Sequence, residues 1–339
     1  MNQEPKECIL NTSPTKDITI CSFHNQRNME IPEGRNLTNV TDFFLLGFQA
    51  SKCFRIFLFC LFLMIYCGTI CGNLLIITLV STSKNLHTPM YFFISHLSIG
   101  DILLSTDIVP KMLQILLYNG GTMTFIGCII QFYFFGATEA FECLLLAVMS
   151  YDRYVAICNP LRYSSIMTRT CCVILPVIAW CFGFFITLIS SNLTAVLHFC
   201  GPNIIDHFFC DIKPLLDIAC SDTFIVHFEI TLLSCPTVIL PTVIIIVSYF
   251  KIIAAILKIP SNTGRQKAFS TCSSHLIVVS IFYGTIFGVY AFPTQDQALN
   301  ISRLLSIVYT IFTPCINPII YSLRNRDITQ AIKKIFNKK

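Results

Sequence analysis

Long apolar runs alternate with short polar links along almost the whole chain. A helix needs roughly 20 mostly apolar residues, at about 1.5 Å of rise each, to cross the hydrocarbon core of a bilayer. The runs that meet this length are residues 54–80, 90–117, 127–158, 172–193, 226–258, 268–293 and 302–322. Lipid offers no hydrogen-bond partner to the backbone, so each run predicts a spanning helix, and none has the alternation of a barrel. The expected fold is an all-α membrane protein, a seven-transmembrane helix bundle.

Composition supports this prediction and divides the chain into three parts. Hydrophobic residues make up 54% of the 339 residues and charged residues 12%, more apolar surface than a soluble domain of this size can bury. We expect an extracellular glycosylated N-terminal tail at 1–53, a transmembrane domain at 54–322 and a cytoplasmic amphipathic tail at 323–339. Met29 would serve equally well as a start, so we expect residues 1–28 to be an optional extension.

Lysine and arginine lie mainly on one side of the predicted membrane. The links after the first, third and fifth spans and the C-terminal tail carry them, as in Lys84, Arg162 and Lys258. By the positive-inside rule the C-terminus is cytoplasmic and the N-terminus extracellular, as expected of a multi-pass protein of the plasma membrane. The glycosylation sequons at Asn11, Asn36 and Asn39 precede the first span and agree with this orientation. The net charge of +5 follows from the same bias and requires no nucleic-acid partner.

The 18 cysteines separate by location. Most lie inside spans, where cysteine usually serves as a small apolar filler. Cys128, Cys200, Cys210 and Cys220 lie on the predicted outer side, an oxidising compartment, and allow two disulfide bridges. No cysteine pair or histidine cluster has the spacing of a metal site, so no metal is expected.

Motifs distinguish among the classes of seven-helix protein. The stretch "MSYDRYVAIC" (149–158) ends the third span, and further motifs follow in register: "GNLLII" (72–77), "LHTPMYFF" (86–93), "HFFCD" (207–211), "ACSDT" (219–223), "KAFSTCSSHL" (267–276) and "PCINPIIYSLRN" (314–325). Together they make the chain resemble the vertebrate olfactory receptors of the rhodopsin-like G-protein-coupled receptor family. The resemblance implies that a small volatile or sparingly soluble odorant activates a stimulatory, olfactory-type G protein and raises cyclic AMP. The alternative is a rhodopsin-like receptor for a non-odorant ligand such as an amine or metabolite.

Other functional classes fit the sequence less well. A retinal protein needs a Schiff-base lysine in the last span, and residues 302–322 contain none. A transporter would show inverted repeats or broken helices at matched places. An enzyme would need a nucleophile and a base in one constellation, which the few polar residues of the spans do not form.

The resemblance assigns an activation switch to the inner ends of the helices. The residues concerned are Asp152, Arg153, Tyr154, Tyr249, Asn317, Pro318 and Tyr321. Arg153 paired to Asp152 would be the quiet state, and activation would turn Arg153 toward Tyr249 and the G protein. A planar guanidinium suits this role because it stays charged and can exchange bidentate partners. Pro318 permits a kink, and Tyr321 can move with it.

Three polar residues, Asn73, Asp101 and Glu142, lie deep in different spans. Acids at this depth are costly and normally face the bundle interior. The resemblance implies a buried polar pocket around Asp101 and Glu142 that holds a sodium ion, and no other cofactor is expected. The alternative is a protonated, hydrogen-bonded acid without an ion.

The resemblance also places an odorant cavity among the third, fifth, sixth and seventh helices. The matching residues are Phe135, Gly136, Glu139, Ala140, Ser234, Thr237, Tyr283, Phe287, Tyr290, Ile307 and Thr310. Glu139 departs from the family pattern, and it either pairs internally or binds a cationic ligand such as an amine. The family pattern joins Cys128 to Cys210, and Cys200 to Cys220 would close a second loop. After Asn325 the apolar residues Ile328, Ile332, Ile335 and Phe336 share one face of a short amphipathic helix.

Overall fold

A computed structural model describes residues 40–291, 296–324 and 326–336 of the chain. Within these residues, seven helices are long and apolar enough to cross a membrane. Numbered helices 1 to 7, they are Lys52–Thr82, Pro89–Tyr118, Phe125–Cys158, Arg169–Ala195, Phe224–Leu257, Cys272–Val289 and Arg303–Ser322. The sixth apolar segment is part of a longer helix, Asn262–Ala291. Each predicted run coincides with one helix, which confirms the seven-helix bundle.

Polar caps fix where several of these helices begin and end. The side chains of Ser51, Thr124 and Thr168 each accept a hydrogen bond from the backbone N–H three residues on, at the starts of helices 1, 3 and 4. Such a cap satisfies a backbone donor that the first turn leaves unpaired. Helix 2 ends at Asn119, whose φ of 59° places it in the left-handed conformation typical of a helix C-terminus.

Helices 3 and 4 approach each other closely through small residues. A Cβ added to Gly183 of helix 4 would lie 2.6 Å from the carbonyl oxygen of Ala137 in helix 3. One turn away, the rings of Phe141 and Trp180 stack with centroids 3.7 Å apart. Small residues that admit a neighbouring backbone are the usual means by which membrane helices pack. Helix 3 is thereby held at the centre of the bundle.

A three-stranded sheet covers the end of the bundle that we call the outer end. Strand β1 (Asp42–Leu45) pairs antiparallel with β2 (Gly121–Thr124), with Phe43 opposite Met123. It also pairs in parallel with β3 (Ile204–Ile205). The N-terminal region 1–53, expected to be a polar tail, therefore contains a strand. The side chain of Phe43 in this strand is fully buried. The hydrophobicity pattern did not predict this sheet.

Two disulfides tie the outer loop together. Cys128 at the start of helix 3 is bonded to Cys210, with 5.4 Å between their Cα atoms. Cys200 is bonded to Cys220, with a Cα separation of 5.7 Å. The first pairing is the one that the resemblance implies, and the second closes the expected second loop. The loop between helices 4 and 5 also contains a short helix, Ile212–Ile218.

Helices 5 and 7 each contain one π-helical turn. In helix 5 the turn is Cys235–Ile239, between Phe224–Ser234 and Leu240–Leu257. In helix 7 the turn is Val308–Phe312, between Asp296–Ile307 and Thr313–Arg324. Each π turn shifts the helix face that follows it, and such turns are common at functional sites.

A last helix, Arg326–Phe336, follows helix 7 at the opposite, inner end. Its side chains Ile328 and Ala331 are buried, and Ile332 packs on the same cluster. The expected short amphipathic helix is therefore present. The predicted apolar side chains of Ile335 and Phe336 lie outside the described side chains.

Candidate functional site

The adjacent residues Asp152 and Arg153 form an ion pair at the inner end of helix 3. Arg153 donates from Nε to Oδ2 of Asp152 at 2.9 Å, and its Nη2 contacts the same oxygen. The second carboxylate oxygen of Asp152 accepts a hydrogen bond of 2.7 Å from the hydroxyl of Tyr163. Asp152 is fully buried, whereas the Arg153 side chain keeps 13% of its surface exposed. The carboxylate thus joins helix 3 to the link that follows it.

Across the inner core, Tyr249 of helix 5 is bonded to helix 6 instead of to Arg153. Its hydroxyl lies 2.6 Å from Nδ1 of His275, and the two rings are stacked. The same hydroxyl lies 3.4 Å from the backbone oxygen of Cys272. His275 is fully buried, and its other ring nitrogen has no hydrogen-bond partner among the described residues. This structure therefore contains the ion pair of Asp152 and Arg153, with helices 5 and 6 joined beside it.

Two further tyrosines lie near the pair in different settings. Tyr154 packs under Lys251 of helix 5, whose ammonium lies 5.5 Å from the centre of the ring. Tyr321 of helix 7 is 2% exposed, and its hydroxyl has no hydrogen-bond partner among the described residues. The hydroxyl of Tyr321 interacts electrostatically with Tyr249 and Arg153. A buried hydroxyl without a partner can gain a hydrogen bond when the helices move.

The three deep polar residues lie around the middle of the bundle. Asn317 of helix 7 donates from Nδ2 to both carboxylate oxygens of Asp101, at 3.0 and 3.2 Å. Asn73 joins helix 1 to helix 7 by donating to the backbone oxygen of Pro314 at 3.1 Å. Glu142 interacts electrostatically with Asp101, and Gly100 leaves room for it, since a Cβ there would lie 3.2 Å from its Oε1. Asp101 and Asn317 are joined by hydrogen bonds, whereas Glu142 and Asn73 lie beside this pair without a hydrogen bond to it.

Most residues matched to the odorant cavity are buried in the outer half. These are Phe135, Ala140, Thr237, Tyr283, Ile307 and Thr310. The ring of Phe135 lies 5.0 Å from that of Phe209 in the outer loop, which closes this region from above. Tyr283 of helix 6 donates to the backbone oxygen of Cys143 at 3.1 Å and so joins helix 6 to helix 3.

Comparison with known proteins adds to this geometry. A profile of the family described as olfactory receptor matches residues 59–339. Olfactory receptor 5G3 of Homo sapiens is 47% identical over 307 residues, which cover 91% of this chain and 98% of that protein. Olfactory receptor 5G9 of Mus musculus is 46% identical over 297 residues, or 88% of this chain and 95% of that protein. The chain belongs to the olfactory receptor family.

Membership of this family gives the general class, the kinds of partner and the location of this olfactory receptor. It is an odorant-sensing G-protein-coupled receptor and not an enzyme. Its family takes a small-molecule ligand and a G protein as partners. The seven spanning helices make it a multi-pass protein of the plasma membrane.

Three of the residues matched to the odorant cavity are placed differently from the others. A Cβ on Gly136 would lie 2.8 Å from Cγ2 of Thr187, so Gly136 faces helix 4 and not the cavity. Phe287 is 45% exposed and shares its helix face with exposed Gly284, because the two are three residues apart. Ser234 is half-buried, and its hydroxyl donates to the backbone oxygen of Thr231 in the same turn. The Tyr290 side chain lies outside the described side chains, as do the sequons Asn11, Asn36 and Asn39.

Sequence reasoning missed two partners of the switch residues in this olfactory receptor and one buried acid outside the switch and the cavity. Tyr163 and His275 are partners of the switch residues. A histidine inside an apolar span was a usable signal for His275, whereas the sequence offered no signal for Tyr163. Glu229, near the outer end of helix 5, is 8% exposed. Its Oε1 accepts a hydrogen bond of 2.7 Å from Ser190 of helix 4. An acid inside an apolar run was the available signal for Glu229.

Proposed function

We propose that this receptor is activated by a small volatile or sparingly soluble odorant and that it couples to a stimulatory, olfactory-type G protein, which raises cyclic AMP. The observation that carries the proposal is the ion pair of Asp152 and Arg153 with its cap from Tyr163. A buried charge that is held by a partner on the next link can be released when that link moves. Such a bistable contact is what a receptor needs at the face that meets its G protein.

Activation would exchange the partners of Arg153. When helix 6 moves outward, the contact between Tyr249 and His275 breaks, and the tyrosine hydroxyl becomes free to accept from the guanidinium. Arg153 would then leave Asp152 and present its remaining donors to the carboxyl terminus of the G protein. The exchange works with arginine because the guanidinium offers five N–H donors in a fixed planar arrangement.

The polar middle of the bundle would connect the ligand to this exchange. Asn317 is bonded to Asp101, and Pro318 follows it at once, where helix 7 lacks one backbone hydrogen bond. Rotation of helix 7 about this point would carry Tyr321 toward Tyr249 and Arg153. The unpaired hydroxyl of Tyr321 would gain a partner in the active arrangement.

Asp101 and Glu142 would hold a sodium ion in the quiet state. Oε1 of Glu142 and Oδ1 of Asn73 are buried oxygens without a hydrogen-bond partner among the described residues. Carboxylate and amide oxygens are the ligands that hard cations prefer, so the donor set fits. A bound cation would supply the positive charge that lets two neighbouring buried carboxyls ionise together.

The odorant would bind in the outer half, below the disulfide-tied loop. Phe135, Tyr283 and Ile307 would supply apolar surface, and Thr237 and Thr310 would supply hydroxyls. A mostly apolar lining with few polar groups suits small hydrophobic molecules. Recognition of a particular odorant would then depend on the few side chains that can form directed hydrogen bonds.

A cyclic-AMP reporter assay tests the proposed function. Cells that co-express the receptor and the olfactory stimulatory G protein would be screened with a mixed odorant panel, and surface expression would be measured on the same cells. We expect a dose-dependent response that Arg153→Ala abolishes at matched surface expression, because the guanidinium of Arg153 would contact the G protein in the active state. Normal signalling by surface-expressed Arg153→Ala would refute the mechanism. A wild-type receptor at the surface that stays silent to the whole panel would count against the odorant and coupling assignments.

A further inference from the structure

Glu139 lies on the inward face of helix 3, in the middle of the span. Its neighbours on that face, Phe135, Glu142 and Cys143, are each only 1% exposed. Glu139 nevertheless keeps part of its surface accessible. The lipid-facing residue Phe134, which is 47% exposed, is five positions away, or about 140° around the helix. The accessible surface of Glu139 therefore opens into the interior of the bundle and not into lipid.

The carboxylate of Glu139 has no partner among the described residues. No hydrogen bond or ion pair reaches it there, and the two groups that act on it electrostatically, Asp211 in the outer loop and Glu142, are both acids. Glu229 is the informative contrast, because its carboxylate accepts a hydrogen bond from Ser190. Internal pairing, which is the usual state of an acid within a span, is thus found for Glu229 and not for Glu139.

Three basic groups near the outer end, Lys111, Arg303 and His207, have other partners or are neutral. Lys111 donates to Gln114 and to a backbone oxygen of strand β2. Arg303 is paired with Asp206. Burial lowers the pKa of His207 to about 3, so its ring is neutral at physiological pH. None of these three groups pairs with Glu139.

We propose that the carboxylate of Glu139 recognises the positive charge of the ligand, and that this receptor responds to small protonated alkyl or aryl amines. The proposal rests on the proposed function and names the ligand class for the same cavity. An unpaired carboxylate away from water is costly, and an ammonium group supplies both the opposite charge and N–H donors. The buried side chain of Phe135, one turn away on the same helix face, would take the hydrocarbon part of the amine.

A binding measurement tests the proposal independently of signalling. Purified receptor in detergent would be heated at pH 7.4 with isoamylamine, cyclohexylamine or phenethylamine, and in parallel with the alcohol of the same carbon skeleton. We expect at least one amine to raise the apparent melting temperature where its alcohol does not. In Glu139→Gln the affinity for that amine should fall roughly 10- to 100-fold, the range typical of a lost charged hydrogen bond. Amines that stabilise the wild type no better than their alcohols would overturn the proposal.

Glu229→Gln is the matched control, because it removes a second carboxyl from the spans without touching Glu139. We expect its amine affinity to stay within about threefold of the wild type, which is within the usual effect of a distant change. An equal loss in both variants would mean that the general negative potential, and not a contact with Glu139, selects the amine. That result would overturn the assignment to this residue.

The cyclic-AMP assay then separates this proposal from the proposed function. If neutral odorants raise cyclic AMP and amines neither bind nor signal, the receptor assignment stands and the cation proposal fails. If amines bind in a Glu139-dependent way but no ligand raises cyclic AMP, the recognition proposal stands and the coupling assignment fails. The two failures therefore give different results.

Discussion

At the scale of single residues, the side chain of Asp152 acts as a clamp more than as a source of stability. It is fully buried and bonded to both Arg153 and Tyr163. Desolvation offsets much of the attraction within a buried ion pair, whereas removal of one partner leaves a costly unpaired charge. The pair therefore contributes little to net stability but makes any state that separates it unfavourable until a new partner arrives. This is the property that a switch requires.

The variant Tyr163→Phe should weaken the clamp without breaking the ion pair. Burial and the neighbouring Asp152 carboxylate raise the pKa of Tyr163, so its hydroxyl stays protonated and donates. A hydrogen bond of this kind contributes about 0.5–1.5 kcal/mol, so we expect basal cyclic AMP per surface receptor to rise roughly 2- to 10-fold. Tyr151→Phe is the control, since Tyr151 is 41% exposed. Basal activity equal to that of the wild type would show that Tyr163 does not restrain Arg153.

His207 in the outer loop should make the fold sensitive to acid. Burial lowers its pKa from 6.5 to about 3, with Arg303 as the second cause. Between these values the unfolded chain binds more protons than the folded one, so the stabilisation is complete above pH 6.5 and is lost as the pH falls. The loss is about 1.4 kcal/mol per pH unit. Melting curves at pH 7.5 and 5.5 should show a larger fall for the wild type than for His207→Gln, and equal falls would contradict the assignment.

At the scale of elements, the crossing of helices 3 and 4 depends on two glycines, which have no Cβ atom. Gly183 admits the backbone of helix 3 at Ala137, and Gly136 admits Thr187 from the other side. Both helices are held by contacts that hydropathy does not reveal. The stacked rings of Phe141 and Trp180 then fix the rotation of helix 3. That rotation determines which residues of helix 3, Glu139 among them, face the interior.

The variant Gly183→Ala should loosen this crossing. The new methyl group would lie 2.6 Å from a backbone oxygen that cannot move independently of helix 3. Overpacking of this type costs about 1–3 kcal/mol, so we expect a lower apparent melting temperature and reduced surface expression. Gly68→Ala in helix 1 is the matched control, because nothing lies within 4 Å of the added methyl. Equal behaviour of the two variants would show that the helices separate without penalty.

The helices were predictable and their rotations were not. Spans follow from hydropathy because each is long and apolar, and one helix corresponds to each predicted run. Position-matching fixes a residue number but not the direction of its side chain, which is why Gly136 and Phe287 do not join the buried set. Ser234 directly precedes the π turn Cys235–Ile239, which shifts the helix face in a way that the sequence does not reveal.

Strand β1 was unpredictable for a different reason. It has four residues, too few for an alternating pattern, and its partners β2 and β3 lie about 80 and 160 positions further along the chain. Long-range pairing of short strands depends on the loops that bring them together. Here the loop is fixed by the Cys128–Cys210 bridge beside the sheet. The strand therefore follows from the tertiary structure and not from its own sequence.

At the scale of the whole molecule, polar side chains form a column through an apolar bundle. The column runs from Glu139 through Glu142, Asp101 and Asn317 toward the inner tyrosines and Arg153. Each member is on a helix that packs against helix 3 or is part of it, so a change in charge at the top can alter hydrogen bonding below. In lipid such groups are retained only where protein partners or ligands compensate them. Oε1 of Glu142 and the carboxylate of Glu139 are the groups of this column that a cation or a ligand would compensate.

The orientation of the bundle is predicted from charge, and the prediction can be tested directly. The link between helices 5 and 6 carries Lys258, Arg265 and Lys267, whereas the link between helices 2 and 3, residues 119–124, carries no lysine or arginine. Basic residues in short links stay on the cytoplasmic side of a membrane, so the inner end that carries Arg153 should face the G protein. An epitope tag at the N-terminus should bind antibody on intact cells, and a tag after Lys339 should bind only after permeabilisation. The reverse labelling would place Arg153 outside the cell and would exclude the coupling mechanism.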